Sequence, residues 1–95
     1  MYRLNSYISS IVIAESLGLK HIGDAIQVIG VSPLNKIVKG SLSFSDKVHS
    51  TNNTASVIGP IVSGFEDVTR IEALNPRLEF IRAINLLEER IGFAN

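Results

Sequence analysis

Asn75-Pro76 opens the one segment of this chain whose secondary structure is fixed locally. Asparagine is a strong N-cap, and proline suits the first helical position, where its missing N–H costs nothing. Behind them Phe80, Ala83, Ile84, Leu87 and Ile91 recur at i, i+3, i+4, i+7 and i+11, which is one face of an α-helix. Arg82, Asn85 and Glu89 fall opposite, Glu79 and Arg82 stand at pairing distance, and Gly92 closes the helix. Leu78 and Leu86 lie off the main apolar face and suggest a second contact surface. An amphipathic helix needs a partner for its stripe, so the rest of the chain must supply one.

Ninety-five residues make one domain at most, and residues 1–95 are read as one. A chain of this size buries only about 60–65% of the surface its unfolded state exposes, so the core is modest. Hydrophobic residues are 45% and charged residues 19% of the chain, a balance that argues for a folded rather than a disordered domain. The formal net charge of zero argues against an electrostatically driven nucleic-acid binder. With no cysteine, a disulfide frame and a cysteine-ligated zinc site are excluded. No stretch approaches the length of a membrane span. Arg3 precedes an apolar run over residues 8–14, but that run holds Ser9 and Ser10 and lacks a small-x-small cleavage site. It is expected to belong to the domain rather than to a leader, which makes the cytoplasm the expected location.

Ser10 is placed to cap a short helix over residues 11–17, with Gly18 ending it in the left-handed conformation. Residues 19–22 and 26–31 read as strands joined by Gly23-Asp24-Ala25. The second alternates Ile26, Val28 and Gly30 with Gln27, Ile29 and Val31, as in a sheet covered on both sides. Pro33 ends it, and a basic loop follows. Residues 41–44, 55–59 and 70–74 read as three more short strands, with residues 61–68 ambiguous around Gly64. The polar stretch 45–54 suits a short helix capped by Ser45, then a loop. These elements predict an α/β or α+β domain: one small mixed sheet, an N-terminal helix and a long C-terminal helix.

Catalytic and cofactor signatures are missing. Gly23, Gly30 and Gly40 form neither Gly-x-Gly-x-x-Gly nor a Walker loop, so no cofactor is expected. None of the serines sits in Gly-x-Ser-x-Gly. His21 falls in a strand and His49 in a polar loop, without an acid at metal-ligand spacing, so no metal site is expected. No hexapeptide repeat is present.

The order of anchors Leu17-Gly18, Gly23-Asp24, Gly30-Val31, Gly40-Ser41-Leu42-Ser43-Phe44 and Asn75-Pro76 resembles the N-terminal domain of UDP-3-O-(3-hydroxyacyl)glucosamine N-acyltransferase, the N-acylating enzyme of lipid A biosynthesis. More distantly it is similar to the uridine-nucleotide-binding N-terminal domain of the Mur ligases. The resemblance covers roughly residues 10–93. It implies a UDP-sugar or uridine-nucleotide recognition module, non-catalytic here because the family's histidine base lies in the repeat domain. It also implies a separate transferase as partner. The family trimerises through that repeat domain, so a monomer or weak dimer is expected here.

By the same resemblance Phe44 matches the phenylalanine that stacks on uracil. The family follows it with an Asn-Pro-Lys-Tyr type segment that completes the slot. This chain has Ser45-Asp46-Lys47-Val48-His49 instead, leaving Asp46 as hydrogen-bond acceptor and His49 as opposing ring. The alternative is an interaction domain that keeps the fold and has lost the nucleotide site.

Overall fold

The structure is a computed structural model and describes residues 1–33, 37–65 and 68–94. Part of the basic loop, at residues 34–36, and part of the ambiguous segment, at residues 66–67, lie outside the described residues. The fold is α+β: β1 (Tyr2–Ser9), α1 (Ser10–Leu17), β2 (Lys20–Ile22), β3 (Gln27–Val31), β4 (Ser41–Phe44), β5 (Ser56–Gly59), β6 (Arg70–Glu72) and α2 (Pro76–Arg90). The six strands form one mixed sheet in the order β1-β3-β4-β5-β6-β2. The central four are parallel, and β1 and β2 close the two sides antiparallel.

Helix α2 starts as expected, and α1 ends as expected but starts one residue early. Asn75 Oδ1 accepts from Leu78 N at 3.2 Å, and Pro76 is the first helical residue of α2. Gly18 takes φ 71° at the end of α1, a backbone state that glycine adopts without steric cost. The cap of α1 is Ser9 rather than Ser10. Ser9 is extended and its hydroxyl accepts from Ile11 N. Strand β1 runs straight into α1, so the cap falls on its last extended residue. Ser10 turns inward instead: its Oγ accepts from Ile26 N and meets His21 Nε2, each at 2.8 Å.

Phe44, Ile58 and Ile71 are register neighbours across β4, β5 and β6 and share one face of the sheet. That face meets Ile13, Ala14 and Leu17 of α1 and Phe80, Ala83 and Leu87 of α2 in the main core. Ile84, placed on the same helical face by periodicity, is only half-buried at its margin. Leu86 is not free for a second surface; it packs against the core from the side. Leu78 does stand exposed.

The opposite face lies under the connections between parallel strands. Ser41, Ser43, Val57, Arg70 and Glu72 are buried. Arg70 pairs with Glu72 at 2.9 Å and donates to the carbonyls of Val62, Phe65 and Val68, fastening the β5–β6 connection to the sheet. After β4 there is no helix at Ser45. Its N–H donates to Ile58 O and so continues the β4–β5 ladder, while its hydroxyl accepts from Lys47 N in a tight side-chain turn.

Residues 2–9 form a strand that the apolar pattern alone did not announce. Arg3 pairs with Gly30 in β3, where a side chain on residue 30 would come within 2.5 Å of Tyr2 O. The outer side of β1 is bordered by the chain's last turn: Asn5 N donates to Gly92 O, and Leu4 bridges Phe93. The connection from β2 to β3 is not a hairpin. It passes the starts of the parallel strands, with Gly23 against Thr69 and Ile26 to Gln27 near Gly40 and Thr54. Consecutive strands thereby end on opposite sides of the sheet. No helix among the described residues is long and apolar enough to cross a membrane.

Candidate functional site

Phe44 is the last residue of β4, and its side chain stands at the carboxyl end of the parallel strands. Open α/β sheets bind ligands at that end. Its ring is half-buried and tilts against Phe80 of α2, with ring centroids 4.9 Å apart and planes at 39°. The remainder of Phe44 borders an open cleft of about 660 Å³ whose other walls are Asp46, Asn75, Arg77, Phe80, Ile81 and Ile84. The cleft therefore has an aromatic and aliphatic base with one carboxylate, one guanidinium and one amide at its rim.

Local structure accounts for each group. The β4–β5 ladder extends through Ser45, which fixes Phe44 on the helix side of the sheet. Asp46 follows in the turn anchored on Ser45 and is exposed. Asn75 spends its side-chain oxygen on the cap of α2, which leaves its amide NH₂ as the free end. Arg77 is the second residue of that helix. Asp46 and Arg77 line the same cleft without forming an ion pair or hydrogen bond with each other. Each carries its charge into solvent.

Of the three residues suggested for a uracil slot, Phe44 and Asp46 share this cleft. His49 is not among its lining residues: its Nε2 lies 2.9 Å from Ser45 Oγ. Ser45 follows Phe44 along an extended backbone, and successive side chains of a strand point to opposite faces, so His49 is held away from the ring it was expected to oppose. Asn75, Arg77, Phe80 and Ile81 enter the cleft from the far end of the sequence. Only their position at the start of a capped helix hinted at a terminus near the sheet.

A second constellation is Ser10 with His21. The hydroxyl and Nε2 are within hydrogen-bond distance, and the tautomer with Nε2 unprotonated lets the hydroxyl donate to the ring. Burial pushes the imidazole below its ordinary value of 6.5, with a backbone hydrogen bond at Gly23 offsetting part of that effect. Ser10 is fully buried and already accepts from Ile26 N. The pair resembles half of a nucleophilic triad in distance alone. Its serine cannot meet a substrate, and it closes the core where α1 crosses β2. Among the described residues there is no cluster of three or more histidine or acidic side chains able to hold a metal.

Compared with protein families, curated proteins and solved structures, the chain has no match.

Proposed function

We propose that this domain recognises a uridine nucleotide or UDP-sugar in the cleft at Phe44, without catalysing a reaction itself, and delivers it to a separate transferase. The observation that carries this is a half-exposed aromatic ring at the carboxyl end of a parallel strand, opening onto a cleft with a free carboxylate beside it. Stacking on an aromatic face contributes roughly 1–3 kcal/mol per base. The Asp46 carboxylate is an acceptor only, so it suits the imide N–H of uracil. The resemblance of the Gly40–Phe44 stretch to the lipid A N-acyltransferases supports uracil over other bases. Phe80 occupies part of the Phe44 ring, and His49 stands elsewhere. The slot is therefore one-sided, and affinity no better than tens of micromolar is expected.

The test is NMR titration of the protein with UMP, with AMP as control, repeated on Phe44→Leu. Saturable shifts around Phe44 for UMP, weaker for AMP and abolished in the variant, are the expected result. An equal response to UMP and AMP, or binding unchanged in Phe44→Leu, would overturn the proposal.

Exposed apolar side chains elsewhere favour one alternative, an interaction domain. Leu74 is 94% exposed, Ile61 56% and Leu78 51%, and the three border a shallow depression of about 570 Å³ between β6 and the first turn of α2. Apolar groups gathered in this way mark contact surfaces more often than isolated ones do. A failed UMP titration would move the assignment here.

A further inference from the structure

We infer that Arg77 is the phosphate-binding residue of the Phe44 cleft, and that the cleft accordingly prefers a phosphorylated nucleotide to the free nucleoside. This rests on the reading of the cleft as a nucleotide site.

Of the other arginines, three are committed to the fold, and Arg3, exposed on β1, borders a different depression. Arg70 serves Glu72 and three carbonyls, Arg82 serves Glu79, and Arg90 reaches Ser16. Arg77 is exposed, lines the cleft, and has no hydrogen bond or ion pair among the described residues. Helix stability does not explain it either. A cation in the first turn of α2 opposes the helix dipole, where an acidic side chain would be favourable. An anion in the cleft offsets that repulsion, because it is attracted by the guanidinium and by the helix end together.

The helix end alone has little to offer. Pro76 has no N–H, Leu78 N is taken by the Asn75 side chain, and Glu79 N donates to Asn75 O. Among the described residues Arg77 N is the one free amide donor left there, so the charge and most of the directional donors come from the guanidinium, whose planar fork matches phosphate oxygens. The free amide NH₂ of Asn75, fixed by its capping role, is a second donor on the same wall. The carboxylate of Asp46 repels phosphate, which directs the ligand one way round: base edge at Asp46, phosphate at Arg77.

The experiment compares uridine, UMP and UDP binding to the wild-type chain and to Arg77→Gln, by NMR titration at fixed ionic strength. A charge-assisted contact of this kind predicts that wild type binds UMP at least about tenfold tighter than uridine, and that Arg77→Gln narrows this to about twofold or less. Arg77 is exposed, and an unchanged melting temperature in Arg77→Gln would confirm that the fold is intact. If uridine and UMP both bind at Phe44 but the phosphate advantage is absent, or survives in Arg77→Gln, the inference about Arg77 is wrong and the nucleotide site stands. If neither uridine nor its phosphates bind saturably, both fall.

Discussion

Ser10 Oγ lies 2.8 Å from His21 Nε2, joining the first turn of α1 to the edge strand β2. With a neutral ring every group of the contact is satisfied. Nε2 then accepts from the Ser10 hydroxyl, and Ser10 Oγ accepts from Ile26 N. Protonation turns Nε2 into a donor, and the Ser10 hydroxyl proton is left without its acceptor in a buried site.

The first prediction concerns pH. Burial lowers the imidazole of His21 below 6.5 in the folded protein. The unfolded chain therefore binds the proton more readily, and stability rises with pH through this range. The contribution of His21 should be fully present above the ordinary value of 6.5 and lost as pH falls through the lowered folded value. Urea midpoints measured from neutral pH downward should decline from about 6.5 and level off once the lowered folded value is passed. The decline should be absent in His21→Gln. An identical slope in wild type and variant would exclude His21 as its source.

The buried ion pair on the other face makes the second prediction. Arg70 and Glu72 are almost completely buried, and Arg70 also holds the β5–β6 connection. Removing one partner leaves an uncompensated buried charge, which typically costs about 3–5 kcal/mol. Glu72→Ala and Arg70→Ala should each destabilise the domain severely. Arg70→Leu combined with Glu72→Leu should recover part of the loss, because neither charge remains. Chemical denaturation of all three variants measures this, and additive losses in the double variant would argue against coupling.

Helix α2 provides a graded series. Leu87 is fully buried, Ile84 half-buried, and the side chain of Arg82 is 52% exposed in its pair with Glu79. Leu87→Ala should cost about 2–5 kcal/mol by leaving a cavity. Ile84→Ala should cost less, and Arg82→Ala no more than about 1 kcal/mol, as for other surface pairs. Melting temperatures falling in any other order would mean that the helix faces the sheet differently.

Gly30 tests the β1–β3 pairing. A Cβ at this position would approach Tyr2 O to 2.5 Å, and a backbone carbonyl in a ladder has little freedom to move. Gly30→Ala should loosen β1, seen as faster amide exchange at residues of that strand. Protection equal to wild type would place β1 elsewhere.

What the sequence determined by itself was local. The apolar period from Phe80 to Ile91 and the Asn75-Pro76 cap specify α2, because backbone hydrogen bonds and capping act within a few residues. The short apolar stretches of β4 and β5 were legible for the same reason, as was Phe44 as an aromatic at a strand end. Pairing between distant segments left no such mark. Tyr2–Ser9 has only Leu4 and Ile8 turned toward the interior, so its existence as a strand depends on β3 on one side and the turn at Gly92 on the other. The separation of β2 from β3 depends on Thr69 and the strand starts that residues 23–26 pass. Tertiary structure alone decided the cleft as well. It brings Asn75 and Arg77 to Phe44 and Asp46 by docking α2 on the sheet, and carries His49 off with Ser45. Side chains far apart in sequence meet only through burial of a shared core, and hydrophobic burial has no directional preference that a single sequence displays.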